Sequence, residues 1–160
     1  MKINLLIFVI ILLILLPTIV LAQNFRDKII ISPDITFLWN FQRGFEDFVR
    51  FFKFFSKSKI EYSLELSDRR IGEIQTLEDK NKTDMIEVVE LEYEREIGRI
   101  EAILNRTSIS EEFKTIIIKR LQDQVKVLGD VMEKTPDNLK EKIFSAAKKA
   151  SECIEVLGKK

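Results

Sequence analysis

The residues best suited to chemistry lie where Glu87, Glu90 and Glu94 follow one another at spacings of three and four, with Glu92, Glu96 and Glu101 close by. On a helix that spacing stacks carboxylates along one face. Such a row could hold a divalent cation or move protons. A carboxylate-bridged di-metal site in a helical bundle, however, draws a Glu-x-x-His motif from other helices, and this chain has no histidine. The expected state is a solvated helix face with partial pairing, Glu92 with Arg95 and Glu96 with Arg99. Loose Ca²⁺ binding is the chemistry left over, because that ion accepts oxygen ligands alone. Without histidine, Ser-His-Asp and Cys-His nucleophile systems are excluded, and so is the commonest general base. No glycine-rich phosphate loop is present, and acidic residues are too frequent for any pair to mark a glycosidase. The expectation is a non-enzyme with no catalytic, cofactor-binding or metal residues and no cofactor.

Three further residues could be modified. Asn81-Lys82-Thr83 and Asn105-Arg106-Thr107 are glycosylation sequons, both in expected turns. Cys153 is the single cysteine, so no intrachain disulfide can form. It lies on a helical apolar stripe and reads as a small buried apolar residue. Cross-linking of two chains is the alternative.

The elements that position these residues begin with an export signal. Residues 5–16 are an unbroken apolar run, Pro17 breaks the helix, and Val20-Leu21-Ala22 offers a cleavage site before Gln23. Residues 1–22 are thus a signal peptide. Its rival is an uncleaved anchor over residues 3–22, just long enough to cross a bilayer. Either way the domain works outside the cytoplasm, secreted or held at the membrane. Residues 23–31 form a lead-in in which Ile29 to Ile31 could pack as a strap, and residues 32–158 form one helical domain.

Five amphipathic segments fill that domain. The first runs from Pro33 to Phe55, with Ser32 as N-cap. The second runs from Ser58 to Leu77, with Glu65, Arg69 and Glu73 four apart. The third follows the turn at residues 79–84, capped by Thr83, and places Ile86, Val89, Tyr93, Ile97, Ile100 and Leu104 on one face. The fourth opens on a Ser108–Glu111 capping box and carries Phe113, Ile117, Leu121, Val125, Leu128 and Met132. The fifth is capped by Thr135 ahead of Pro136, carries Leu139, Ile143, Ala146, Ala150, Cys153 and Leu157, and ends at Gly158. Short connections favour antiparallel neighbours. The fold class is all-α, an antiparallel up-and-down bundle of four to five amphipathic helices.

The first segment is unusual. Residues 41–59 read FQRGFEDFVRFFKFFSKSK, with seven phenylalanines in nineteen positions. On a helical wheel Phe41, Phe45, Phe48, Phe52 and Phe55 share one arc, and Leu38, Val49 and Phe51 widen it. Arg43, Glu46, Asp47, Arg50 and Lys53 take the other side. The broad stripe reads as a core-facing surface. Trp39 and Phe54 fall among the charges and so make the candidate partner patch. In the alternative, this helix lies in a lipid interface with Arg43, Arg50, Lys53, Lys57 and Lys59 toward headgroups. The acids beside them count against it, since interfacial helices favour cationic polar faces.

With the segments placed, Ser32-Pro33, then FEDFVRFFKFF at residues 45–55, Lys59 and Glu61, LELSDRRIGE at 64–73 and VKVLGDVMEKTPDNLKEKIFSAAKKAS at 125–151 can be compared as an ordered set. In these the chain resembles the exported proteins of bacteria and archaea grouped as domain of unknown function 5667. The likeness spans about residues 32–157 and departs in fewer alanines and more isoleucine and lysine. It implies an exported helical domain without an assigned activity, and it transfers no catalytic residue.

Charge is uneven: residues 61–112 hold 7 basic and 15 acidic residues, and residues 113–160 hold 11 and 7. No basic stripe with stacking aromatics exists, so nucleic acid is not an expected partner. Two functions fit. One is a non-enzymatic binding or structural module of the cell envelope, with an envelope protein or a second copy as partner. The other is a membrane-peripheral protein using the phenylalanine-rich helix on a membrane surface.

Overall fold

The computed structural model describes residues 31–33 and 35–159, so the expected signal peptide, the Ala22–Gln23 cleavage site and most of the lead-in lie outside the described residues. Among the described residues five α-helices follow in order: α1 (Thr36–Phe51), α2 (Ser56–Asp79), α3 (Ile86–Leu104), α4 (Glu111–Lys134) and α5 (Asp137–Gly158), with a 3₁₀ turn at Thr83–Met85. No helix among the described residues is long and apolar enough to cross a membrane.

Helices α2 to α5 form the bundle. The hairpins α2–α3 and α4–α5 pack side by side, and α3–α5 and α2–α4 close the ring. Single-faced stripes explain why. All six expected residues of α3 and all six of α5 are buried in one apolar core. In α2 the core residues are Ile60, Leu64, Ile71, Ile74 and Leu77. Helix α4 contributes Phe113, Ile117, Leu121, Leu128 and Val131. Val125 and Met132 are only half-buried, and the core positions expected for them are taken by the adjacent Gln124 and Val131.

Gln124 is tolerated there because its groups are satisfied. Its amide donates to Ser67 Oγ at 2.8 Å and Asp68 Oδ1 at 2.6 Å, and Tyr93 Oη donates to its carbonyl at 3.0 Å. Arg120 donates to Asp68 from Nε at 3.0 Å and also from Nη2. A buried polar group with partners ties helices together, whereas one without them costs stability.

The turns correct several expected caps. The α2 C-terminus closes with Asn81 at φ 54°, its N–H on Glu78 O and the Lys82 N–H on Leu77 O. Asparagine is one of the few non-glycine residues that accept this left-handed position. Helix α4 is capped by Ser110, which accepts from the Phe113 N–H at 3.3 Å, rather than by Ser108. Thr135 does not cap α5: its hydroxyl donates back to Val131 O at 2.8 Å and closes α4. Neither Ser32 nor Thr83 caps a helix by its side chain. Ser32 Oγ instead accepts from Lys80 at 3.2 Å, and α1 begins at Thr36.

Candidate functional site

Helix α1 lies outside the ring, over the seam of α2 and α3, and it is turned the opposite way from expectation. Trp39, Gln42 and Glu46 are its buried residues. Phe37, Phe41, Phe48, Phe51, Phe52, Phe54 and Phe55 are 53–80% exposed. The wheel positions hold over Thr36–Phe51, but the helix stops there, short of the expected Phe55, so Phe52 to Phe55 lie past its end; the direction of the core is the reverse of that expected. The phenylalanine stripe faces out, and the polar arc faces the protein. Trp39, at 2% exposure, therefore cannot belong to an exposed patch, while Phe54 at 73% can.

The reason is the surface beneath α1, which is charged. The Glu46 carboxylate accepts from Arg69 Nη1 at 2.5 Å, from Arg70 Nη2, and from Gln42 Nε2 at 3.1 Å. Arg70 also donates to Glu73 at 2.6 Å, and Tyr62 donates to the Glu46 backbone carbonyl at 3.1 Å. On the α3 side Arg50 donates to Glu96 at 2.7 Å, and Arg43 pairs with Glu92. The indole of Trp39 is stacked beneath the Arg43 guanidinium, 4.6 Å from it, with Arg70 5.9 Å away. Glu46 of FEDFVR thus docks on Arg69 and Arg70 of LELSDRRIGE, while Arg50 reaches Glu96 of α3. The two stretches that carried the family likeness meet each other in space.

Burial opposes the Arg70 charge, but Glu73 and Glu46 outweigh it and hold its pKa above the ordinary value. The Glu73 carboxyl is pushed up by burial, with Arg70 opposing. Among the described residues, the seam atoms Arg69 Nε and Arg70 Nε have no hydrogen-bond partner, while the Trp39 indole adds to Arg70 in opposing the rise of the Glu73 carboxyl. Of the expected helix pairs, Glu65–Arg69 forms at 3.9 Å, and Arg69–Glu73 is replaced by Arg70–Glu73.

The outward face is continuous. Ring centroids of Phe45 and Phe48 are 6.2 Å apart, those of Phe48 and Phe52 5.1 Å, and those of Phe51 and Phe52 5.5 Å. The exposed phenylalanine area is roughly 900–1,000 Å², taking about 200 Å² per side chain. The exposed rings in contact, Phe48, Phe51 and Phe52, make up roughly 370 Å² of it, the size of the largest apolar patch on an ordinary monomer, roughly 300–600 Å². Lys53, Lys57 and Lys59 follow one end in sequence, with Lys53 5.3 Å above the Tyr62 ring, Lys57 5.3 Å above the Phe113 ring of α4, and Lys59 exposed. Arg43 and Arg50, expected among the outward bases, are instead held by Glu92 and Glu96.

The carboxylate row of α3 divides between two neighbours. Glu92 and Glu96 turn to α1, and they also take Arg95 and Arg99 as expected. Glu87 pairs with Lys142 at 2.9 Å, and Ser145 donates to Glu94 at 2.6 Å, both from α5. Glu90 is buried between them, and burial together with the Glu94 carboxylate raises its pKa to about 8. The row is thus mixed, with Glu90 and Glu96 buried and the Glu87–Lys142 pair half-solvated, and no metal-binding group of three such ligands occurs among the described residues.

Both sequon asparagines are exposed in turns. Asn105 lines an open groove of about 560 Å³ with Arg106, Thr107 and Lys114. Cys153 is buried, and burial pushes its thiol up to about 12, so it is an inert core residue.

Four helices in a ring, carrying a fifth by its charges with its aromatic side outward, define an all-helical domain with a presented apolar surface. Residues 30–156 match the model of the family described as Domain of unknown function (DUF5667), and the chain belongs to that family. No curated protein and no solved structure matches it.

Proposed function

We propose that the chain is an extracytoplasmic module of the cell envelope that works by binding rather than catalysis, and that its binding surface is the outward phenylalanine face of α1. One observation carries this reading. The face is not left exposed for want of a core, since α1 is locked by Glu46, Arg43 and Arg50 in the orientation that presents it. The apolar segment at residues 5–22 with its cleavage pattern supports export. The lack of any histidine in the sequence supports a non-catalytic role.

Photo-cross-linking in cells that export the chain tests this. With benzoylphenylalanine in place of Phe48, adducts to an envelope component, lipid or protein, are expected. With the same group in place of the exposed Lys126 on α4, none are expected. Absence of any adduct at Phe48, or identical adducts from both sites, overturns the proposal.

A further inference from the structure

The geometry points to the interfacial layer of an anionic phospholipid bilayer as the occupant of the α1 face, with α1 lying flat in the membrane plane. This rests on the reading of that face as the binding surface and names its partner. The first ground is the chemistry of the face. Phe37, Phe41, Phe45, Phe48 and Phe52 form a row of pure hydrocarbon along a helix ~24 Å long. Protein interfaces draw their binding energy from tryptophan, tyrosine and arginine, which combine area with hydrogen bonding. Here the sole tryptophan and both arginines of α1 are turned inward, to the seam. A surface stripped of donors and acceptors suits a medium that offers none.

The second ground is charge. Arg43, Glu46 and Arg50 of α1 are spent within the molecule. Past the C-terminal end of the face come Lys53, which leans on the Tyr62 ring, Lys57, which lies 5.3 Å from the Phe113 ring and 3.9 Å from Glu61, and the exposed Lys59, against an exposed Asp47. Of the two acids that weighed against a membrane at the level of sequence, Glu46 is buried and Asp47 remains exposed beside Arg50. An apolar face with lysines at one end is the pattern of a helix that lies in the headgroup boundary. The third ground is reach. Thirteen residues separate Ala22 from Thr36. An anchor retained at residues 3–22 would hold α1 within ~45 Å of the bilayer, and a cleaved signal would still release the domain beside one.

The test uses the full chain carrying an environment-sensitive fluorophore at Gly44→Cys. Gly44 is exposed on α1, and a Cβ there meets nothing within 4 Å. Cys153 is buried and does not compete for the label. Reconstitution into phosphatidylethanolamine–phosphatidylglycerol vesicles is expected to raise the label's emission at least threefold and shift it to the blue. The rise should be smaller in phosphatidylcholine. A label at Lys126→Cys is expected to stay in water, so a membrane-held N-terminal segment does not decide the result. Combining Phe41→Ser, Phe48→Ser and Phe52→Ser is expected to abolish the Gly44→Cys response with helicity unchanged. A label that stays water-like in both vesicles overturns the lipid assignment. So does a label already shielded without vesicles in a chain that scatters light as a dimer, which would identify a second copy as occupant. In either case protein adducts from Phe48 would leave the binding reading standing, whereas their absence would remove both.

Discussion

Replacing Glu46 with alanine should loosen α1 without dismantling the bundle. Glu46 is 5% exposed and receives Arg69, Arg70 and Gln42. Removing one partner of a buried ion pair costs about 3–5 kcal/mol, because the other charge is left in a poorly solvated place. The lower end applies here. Arg70 keeps Glu73 at 2.6 Å, and Arg69 keeps Glu65 at 3.9 Å. The loss is also capped, since the guanidinium groups regain water once α1 lifts away. The ties that remain are Arg43–Glu92, Arg50–Glu96 and the buried Trp39. A loss of about 3 kcal/mol in docking corresponds to roughly 100-fold faster amide exchange along α1, with the α3 and α5 cores far less affected. Trp39 is the only tryptophan, so its emission reports the same event by moving to the red. Glu46→Gln should give a smaller effect, because an amide still accepts one hydrogen bond. Exchange in α1 altered less than threefold with Trp39 emission unchanged would refute the claim that this carboxylate holds the helix. Unfolding of the whole chain in step with α1 would refute the claim that α1 is appended to a self-sufficient ring.

Three further outcomes follow from other parts of the fold. Glu90 keeps its proton to about pH 8 in the folded chain, facing Glu87 and Glu94 on its own helix and Lys142 on α5. The unfolded chain releases that proton in the ordinary carboxylate range, so stability falls as pH rises between the two values. Glu90→Gln should then raise stability at pH 8, by up to about 4 kcal/mol, and by almost nothing at pH 4, read from urea titrations. Gly98 sits inside α3 where a Cβ would meet nothing within 4 Å, so Gly98→Ala should stabilise the chain by about 0.5–1 kcal/mol in thermal unfolding. Cys153, with its thiol pushed up to about 12, should resist a disulfide-exchange reagent in the native state and react once urea unfolds the chain.

How much of this was legible depends on which question the pattern answers. The stripes of α3 and α5 were readable residue by residue, because each has one apolar face and the opposite side is polar. In α1 the same periodicity located a face correctly and gave its direction wrongly. Periodicity says which residues go together; it does not say toward what. The missing information lay in Arg69, Arg70 and Glu73 of α2 and Glu92 and Glu96 of α3, which are buried or half-buried only because α1 covers them. The usable signal was a second polar stripe of matching spacing, Arg43, Glu46 and Arg50, together with a lone tryptophan set among charges. The caps misplaced at Ser108 and Thr135 have a simpler cause. Ser108 and Ser110 are both chemically adequate N-caps, and the Thr135 hydroxyl can close α4 as readily as open α5.

The orientation of α1 follows from comparing it with its alternative. A half-turn about the helix axis would press the phenylalanines onto the α2–α3 seam. There they would meet Arg69, Arg70 and Glu73 on one side and Glu92 and Glu96 on the other. Arg70 and Glu73 would keep each other, and Glu96 would keep Arg99. Arg69 would retain only the looser contact to Glu65, and Glu92 only an Arg95 that is itself exposed. Covering charges with hydrocarbon strands them at a cost of several kcal/mol each, which offsets the apolar area gained. The seam therefore selects the polar face of α1, and the apolar face remains outward as a consequence of charge matching. This makes the two faces separable by mutation. Weakening the seam at Glu46 should alter where α1 sits, whereas replacing Phe41, Phe48 and Phe52 should alter only what it meets outside. A chain in which the phenylalanine substitutions destabilised the ring as much as a core truncation would show that the face is packed after all.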